Sequence, residues 1–199
     1  MNIHQEYQKK KPIIEKRLKE FKAVKNDGIF YELCFCILTP QSKGLNADKI
    51  VQILKKLDFK NNNFDPTTHL KSLTRFHNHK SQYLQEAKQK YPLVLEKLSS
   101  IKDSEELRKW LVENINGFGL KESSHFLRNI GYENLAILDR HILKNLVKNQ
   151  AIPELPKTLT PKKYFEIEQK FKEFSQKVNI PIDHLDLLFW SLETGEVFK

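Results

Sequence analysis

Apolar residues in this chain recur at helical spacing from one end to the other, and nowhere do they alternate over a stretch long enough for a strand. Ile14, Leu18 and Phe21 fall at i, i+4 and i+7, which predicts an amphipathic helix ending near Asn26-Asp27-Gly28. An apolar segment from Ile29 to Leu38 follows and stops at Thr39-Pro40. Ala47, Ile50, Val51, Leu54 and Leu57 share one face of a third helix. Asn61-Asn62-Asn63 reads as a loop, and Asp65-Pro66 as the N-cap and first residue of the next helix. A further helix is expected from Lys80 to Tyr91, ended by Pro92. Asp103 and Glu106, three apart, have the spacing of a capping box and open a helix to about Ile115. After Asn116-Gly117-Phe118-Gly119, a helix should run from about Leu120 to Asn129, closed by Gly131. Asp139 can cap a helix from Arg140 to Asn149, and Pro153 and Pro156 mark a loop. Thr160-Pro161 restarts a helix to about Val178, and Asp183 to Leu192 gives the last. The fold class is therefore all-α, without internal repeats or low-complexity tracts.

With 199 residues, the chain has room for one compact domain or two small ones sharing an interface. At 39% hydrophobic residues it can bury a core, which argues against a disordered polycation. Lys and Arg number 34 against 25 Asp and Glu, a net charge of +9. Such an excess suits a polyanion, most simply a nucleic acid; a basic surface without a specific partner is the other reading. No stretch approaches the ~18 apolar residues of a membrane span. The start, MNIHQEYQKKKPIIEK, is charged and lacks the apolar core of a signal peptide, so an intracellular, cytoplasmic protein is expected. Cys34 and Cys36 lie inside an apolar run, too few for an iron–sulfur cluster or a zinc ribbon, and read as buried reduced thiols.

The most informative segment is Ile115-Asn116-Gly117-Phe118-Gly119-Leu120-Lys121-Glu122-Ser123. Two glycines flank one apolar residue in a turn between two helices. Amides at the start of the second helix would then face outward and suit a phosphate. An ordinary helix–helix turn would look the same. Lys121 falls in the first turn of that helix, where the positive end of the dipole disfavours an ammonium, making it a candidate amine nucleophile. Asp139 follows at a helix start, where it serves either as an N-cap or as a carboxylate working with the lysine. A lysine and an aspartate separated by one helix and one loop, behind a Gly-x-Gly turn, form a more specific constellation than either alone.

These segments, with Ser124-His125-Phe126-Leu127-Arg128-Asn129 and Leu138-Asp139-Arg140-His141-Ile142, resemble the helix-hairpin-helix DNA glycosylases. Within that superfamily the likeness is to the type 2 8-oxoguanine DNA glycosylase/lyases. It extends from Leu33-Cys34-Phe35-Cys36-Ile37-Leu38-Thr39 through Arg75-Phe76 to Trp190 and Lys199. The hairpin carries Phe at 118 where the wider superfamily favours proline, and no proline closely precedes Asp139. The resemblance implies two small helical subdomains, about 30–115 and about 116–199 plus the N-terminal helix, forming a single unit over 1–199 with a DNA-binding cleft between them.

It also implies a function: removal of 8-oxoguanine from duplex DNA, then strand nicking by β-elimination. Lys121 would attack C1′ of a nucleotide turned out of the stack, and Asp139 would stabilise the cationic sugar and help deprotonate the lysine. Gln41 matches the position that fills the hole left by the extruded nucleotide, or is a polar loop residue. Phe76 and Trp190 would sandwich the flipped base, or are core aromatics. Asp186, four residues before Trp190 on the same helix face, joins the base-binding candidates. Arg75 would contact the orphaned base or a phosphate, or is solvated, and Gly117 and Gly119 would meet a phosphate. The terminal carboxylate of Lys199 would accept from the N7 hydrogen that 8-oxoguanine has and guanine lacks. His77 and His79 lack further ligands at suitable spacing, so no metal and no cofactor is called for. The expected partner is double-stranded DNA containing 8-oxoguanine, met by a monomer acting at the chromosome with no membrane involved. A glycosylase for an oxidised pyrimidine or a non-catalytic DNA-gripping hairpin module are the alternatives.

Overall fold

The computed structural model describes residues 3–199, and among these every regular element is helical. The elements are α1 (Ile3–Lys22), α2 (Asp27–Leu38), α3 (Gly44–Lys56), α4 (Thr67–Leu70), α5 (His77–Ser100), α6 (Ser104–Asn114), α7 (Leu120–Asn129), α8 (Arg140–Lys148), α9 (Pro161–Val178) and α10 (Ile182–Thr194). No helix among the described residues is long and apolar enough to cross a membrane.

The helix starts follow local chemistry. The Asp103 carboxylate accepts from the Glu106 N–H at 2.7 Å, the Thr160 hydroxyl from the Lys163 N–H at 3.3 Å, and Asp139 from the Ile142 N–H at 2.8 Å. Three expectations are corrected. Pro92 lies inside α5 rather than ending it. Tyr91 and Val94 continue the buried stripe of Leu84 and Ala87, and their burial outweighs the one backbone bond that the proline removes. Leu57 caps α3 and is 38% exposed, so the buried face of that helix ends at Leu54. Asp65 precedes the start of α4 by two residues; it accepts from the Thr67 N–H (2.9 Å) and hydroxyl (2.6 Å) and from Ser81 of α5 (2.7 Å).

The chain forms two compact units, one of Val24–Ile130 and the other of the segment through Ala23 with Gly131–Lys199. The sequence-based boundary near 115–116 therefore falls inside the first unit, and the hairpin belongs with α2–α6. The reason is burial. Residues 123–129 of α7 are all buried against α2 and α6. Asn129 donates to Glu32 of α2 at 2.9 Å, and the fully buried Arg108 of α6 donates to Ser124 at 3.2 Å.

In the second unit α10 is central, with Leu185, Leu187, Leu188 and Phe189 buried. Phe189 stacks on Phe171 of α9 at 6.0 Å. On α1, Tyr7 pairs with His184 (3.0 Å), and Lys10 donates to the Ser191 carbonyl (3.1 Å) and hydroxyl (3.0 Å). Burial pushes the His184 imidazole pKa down, which favours the neutral ring that this hydrogen bond uses.

Gly117 is the residue that the hairpin cannot exchange. Its φ is +86°, and a Cβ there would lie 2.8 Å from the Tyr83 ring. Gly117→Ala should lower stability by about 1–3 kcal/mol, through strain and displacement of that ring. A urea midpoint unchanged from the parent protein would contradict this close approach.

Candidate active site

In the first unit, the α6–α7 turn presents Lys121. Phe118 is buried with its ring 6.0 Å from Phe126, which anchors the tip, and its N–H closes the turn on the Ile115 carbonyl at 3.1 Å. Gly119 is extended rather than left-handed. Its lack of a side chain leaves room for the Glu122 carboxylate, which accepts from the Gly119 N–H at 3.2 Å. That amide is therefore occupied rather than facing outward. The other Glu122 oxygen pairs with the Lys121 ammonium at 2.9 Å. Lys121 is thus held beside a carboxylate that also caps its own helix, and the side chain remains partly exposed at 27%.

The same unit carries a second edge, built by the loops after α2 and before α5. Gln41 is exposed with φ +53°, and Phe76 is 51% exposed with φ +56°. Seven non-glycine residues have positive φ among those described, and four are Asn or Asp, which tolerate it. Gln41 and Phe76 do not share that tolerance. Phe76 is no core residue: its ring lies open, with the exposed Arg75 guanidinium 5.7 Å from its centroid. Behind both loops lies Lys80, only 4% exposed. Burial chiefly, and the Lys121 charge in the same direction, push its ammonium pKa down to about 8.

In the second unit, Asp139 uses both carboxylate oxygens. One caps α8 through the Ile142 N–H at 2.8 Å, and the other accepts the Trp190 indole N–H at 3.1 Å. Trp190 is half-buried and meets the His141 ring edge-on at 5.9 Å. Residues 197–199 are half-buried too, and the Phe198 ring lies 6.4 Å from Trp190. Asp186 is buried one turn before Trp190. The predicted residues therefore fall into two groups. Lys121, Gly117, Gly119, Gln41, Arg75 and Phe76 belong to the first unit, and Asp139, Trp190, Asp186 and Lys199 to the second.

Among the described residues, no group of three or more His, Cys, Asp or Glu side chains is placed to hold a metal. His79 lies alongside Tyr83, ring centroids 6.5 Å apart. Cys34 and Cys36 are buried, and desolvation pushes the Cys34 thiol pKa far up, which removes it from nucleophilic chemistry. Sequence reasoning missed Glu122 and Lys80. Lys80 did leave a signal: it stands in register with Leu84, Ala87, Tyr91 and Val94, a charge on an apolar stripe.

A family model described as 8-oxoguanine DNA glycosylase matches residues 14–180. An 8-oxoguanine DNA glycosylase/AP lyase of Fusobacterium nucleatum is 46% identical, covering 99% of this chain and 96% of its own. One from Methanocaldococcus jannaschii is 40% identical, covering 95% and 93%. The crystal structure of the M. jannaschii 8-oxoguanine glycosylase/lyase in complex with a 15mer DNA containing 8-oxoguanine superposes with a TM-score of 0.89. It is 37% identical, with both chains covered in full.

Because Asp139 serves two donors, substitution should separate its roles. Asp139→Ala loses the α8 cap and the indole partner together and should cost about 1–2 kcal/mol. Asp139→Asn keeps one acceptor oxygen and should stay within about 1 kcal/mol of the parent. Equal denaturation midpoints for the Ala variant and the parent would show that neither bond matters to folding.

Proposed function

The chain belongs to the 8-oxoguanine DNA glycosylase family, and on that premise we propose that it excises 8-oxoguanine from duplex DNA and nicks the strand through a Schiff base on Lys121. The observation that carries this reading is a partly exposed lysine in the first turn of α7, behind a Gly-x-Gly hairpin and against a carboxylate. The damaged nucleotide must leave the stack before its C1′ can be reached. The neutral Lys121 amine attacks C1′, the N-glycosidic bond breaks, and the base departs with its electron pair. The adduct opens to an imine, a C2′ proton is lost, and the 3′ phosphate leaves by β-elimination.

Asp139 is the carboxylate that offsets positive charge developing on the sugar. Its two hydrogen bonds orient it for that work and for helping to deprotonate the lysine. The exposed ring of Phe76 and the half-buried ring of Trp190 suit stacking on an extruded base, with Asp186 and Lys199 completing the base-binding set. Gln41 fills the gap in the duplex, Arg75 meets the partner base or a phosphate, and the hairpin backbone meets a phosphate at Gly117, the Gly119 amide being held by Glu122. The net charge of +9 favours a duplex as partner at any sequence. The protein acts as a monomer in the cytoplasm, at the chromosome.

Single-turnover assays on a duplex with one 8-oxoguanine test the reading. Lys121→Gln should abolish nicking while duplex binding persists. Asp139→Asn, although folded, should slow excision by at least ~100-fold. Deleting Lys199 should impair 8-oxoguanine excision yet spare cleavage at a pre-formed abasic site. Nicking by Lys121→Gln at the parent rate would refute the assignment.

A further inference from the structure

The two loops at the exposed edge of the first unit share one buried charge. The Lys80 ammonium reaches the Leu38 carbonyl at 2.8 Å, the Pro40 carbonyl at 2.7 Å, the Ser42 hydroxyl at 2.9 Å and the Thr74 hydroxyl at 2.7 Å. Three of these oxygens belong to the segment that carries Gln41, and the fourth precedes Arg75-Phe76. Ser42 and Thr74 also touch each other directly, so the loops meet on the lysine. Asn46 adds a parallel tie, donating to the Leu73 carbonyl at 3.1 Å.

A buried ammonium is costly, and an apolar residue would fit the stripe of Leu84, Ala87 and Tyr91 better. Folding alone gives little reason for a lysine here. What the lysine supplies is three donors at one point, which bring carbonyls and hydroxyls of two separate loops together. Gln41 and Phe76 flank this point, each in a left-handed backbone conformation that its side chain does not favour. Such conformations persist only where the surroundings over-determine them. We propose that Lys80 is a positioning residue for lesion recognition: it clamps the Gln41 loop and the Arg75-Phe76 loop into one rigid edge that meets the distorted duplex. Lys80 is only 4% exposed, and its action is exerted through Gln41 and Phe76. The inference rests on the reading of those two as DNA contacts.

The test is a set of rate comparisons on the full chain, with single-turnover 8-oxoguanine excision and cleavage of a pre-formed abasic duplex measured side by side. The variants are Lys80→Met, Thr74→Val, and the pair Gln41→Ala/Phe76→Ala with and without Lys80→Met. Lys80→Met should slow excision roughly 10–100-fold, the scale of a misplacement of about 1 Å. Abasic cleavage, which needs no base held against Phe76, should fall distinctly less. Added to the Gln41→Ala/Phe76→Ala pair, Lys80→Met should produce little further loss, because the groups it positions are gone. Thr74→Val, a surface-side change that leaves Lys80 in place, should give a smaller loss of the same selectivity and keeps the test decisive if Lys80→Met does not fold. Equal loss of both activities, an undiminished Lys80→Met effect in the stripped background, or full excision by Thr74→Val would overturn the clamp. If the Gln41→Ala/Phe76→Ala pair itself excises at the parent rate, the reading of these loops as DNA contacts fails, and the positioning role falls with it.

Discussion

Burial of α7 is the constraint on which the first unit depends. A helix whose residues 123–129 are all buried, and which includes Ser124, His125, Arg128 and Asn129, is stable only if its polar groups find partners inside. Arg108 and Glu32 meet two of them from α6 and α2. Each such bond, with one charged partner, is worth about 1.5–3 kcal/mol, and breaking one is costly because the group left behind stays dry. The consequence is positional. With the rest of α7 locked, only its first turn opens outward, and Lys121 and Glu122 stand there on a rigid support.

The second unit solves a different problem with similar economy. Asp139 is an N-cap, and it is also the acceptor for Trp190. The capping and catalytic readings are not rivals. A carboxylate whose rotamer is fixed by the Ile142 amide and the Trp190 indole is pre-oriented, and pre-orientation is what electrostatic stabilisation of a short-lived cation requires. The ring of Phe198 beside Trp190 extends the same aromatic cluster toward the end of the described chain.

Much of this was legible in the sequence because it rests on local chemistry. The caps at Asp103, Asp139 and Thr160, the Gly-x-Gly turn and the bounds of α7 follow from residue types within a few positions of each other. What was illegible depends on tertiary packing. Pro92 breaks helices by rule, yet Tyr91 and Val94 bury on either side of it and carry α5 through. The unit boundary lies after Ile130 because α7 packs on α2 and α6, contacts distant in sequence. The helix dipole at Lys121 follows from its position, but its ion pair with Glu122 does not, since adjacent helical residues do not normally face each other. Lys80 was the residue most open to detection, as a lone charge on an apolar face.

The mechanism depends on which amine becomes covalently attached to DNA, and the chain offers two distinctive candidates. Lys121 is partly exposed beside a carboxylate; Lys80 is buried with its pKa pushed down to about 8, the direction expected of a nucleophilic lysine. Geometry separates them, because Lys80 is only 4% exposed and its ammonium is held by four oxygens. The decisive measurement is borohydride reduction of the parent protein on an 8-oxoguanine duplex, followed by digestion and mass mapping of the cross-linked peptide. One adduct is expected, on Lys121. An adduct on Lys80, or on any other lysine, would contradict it.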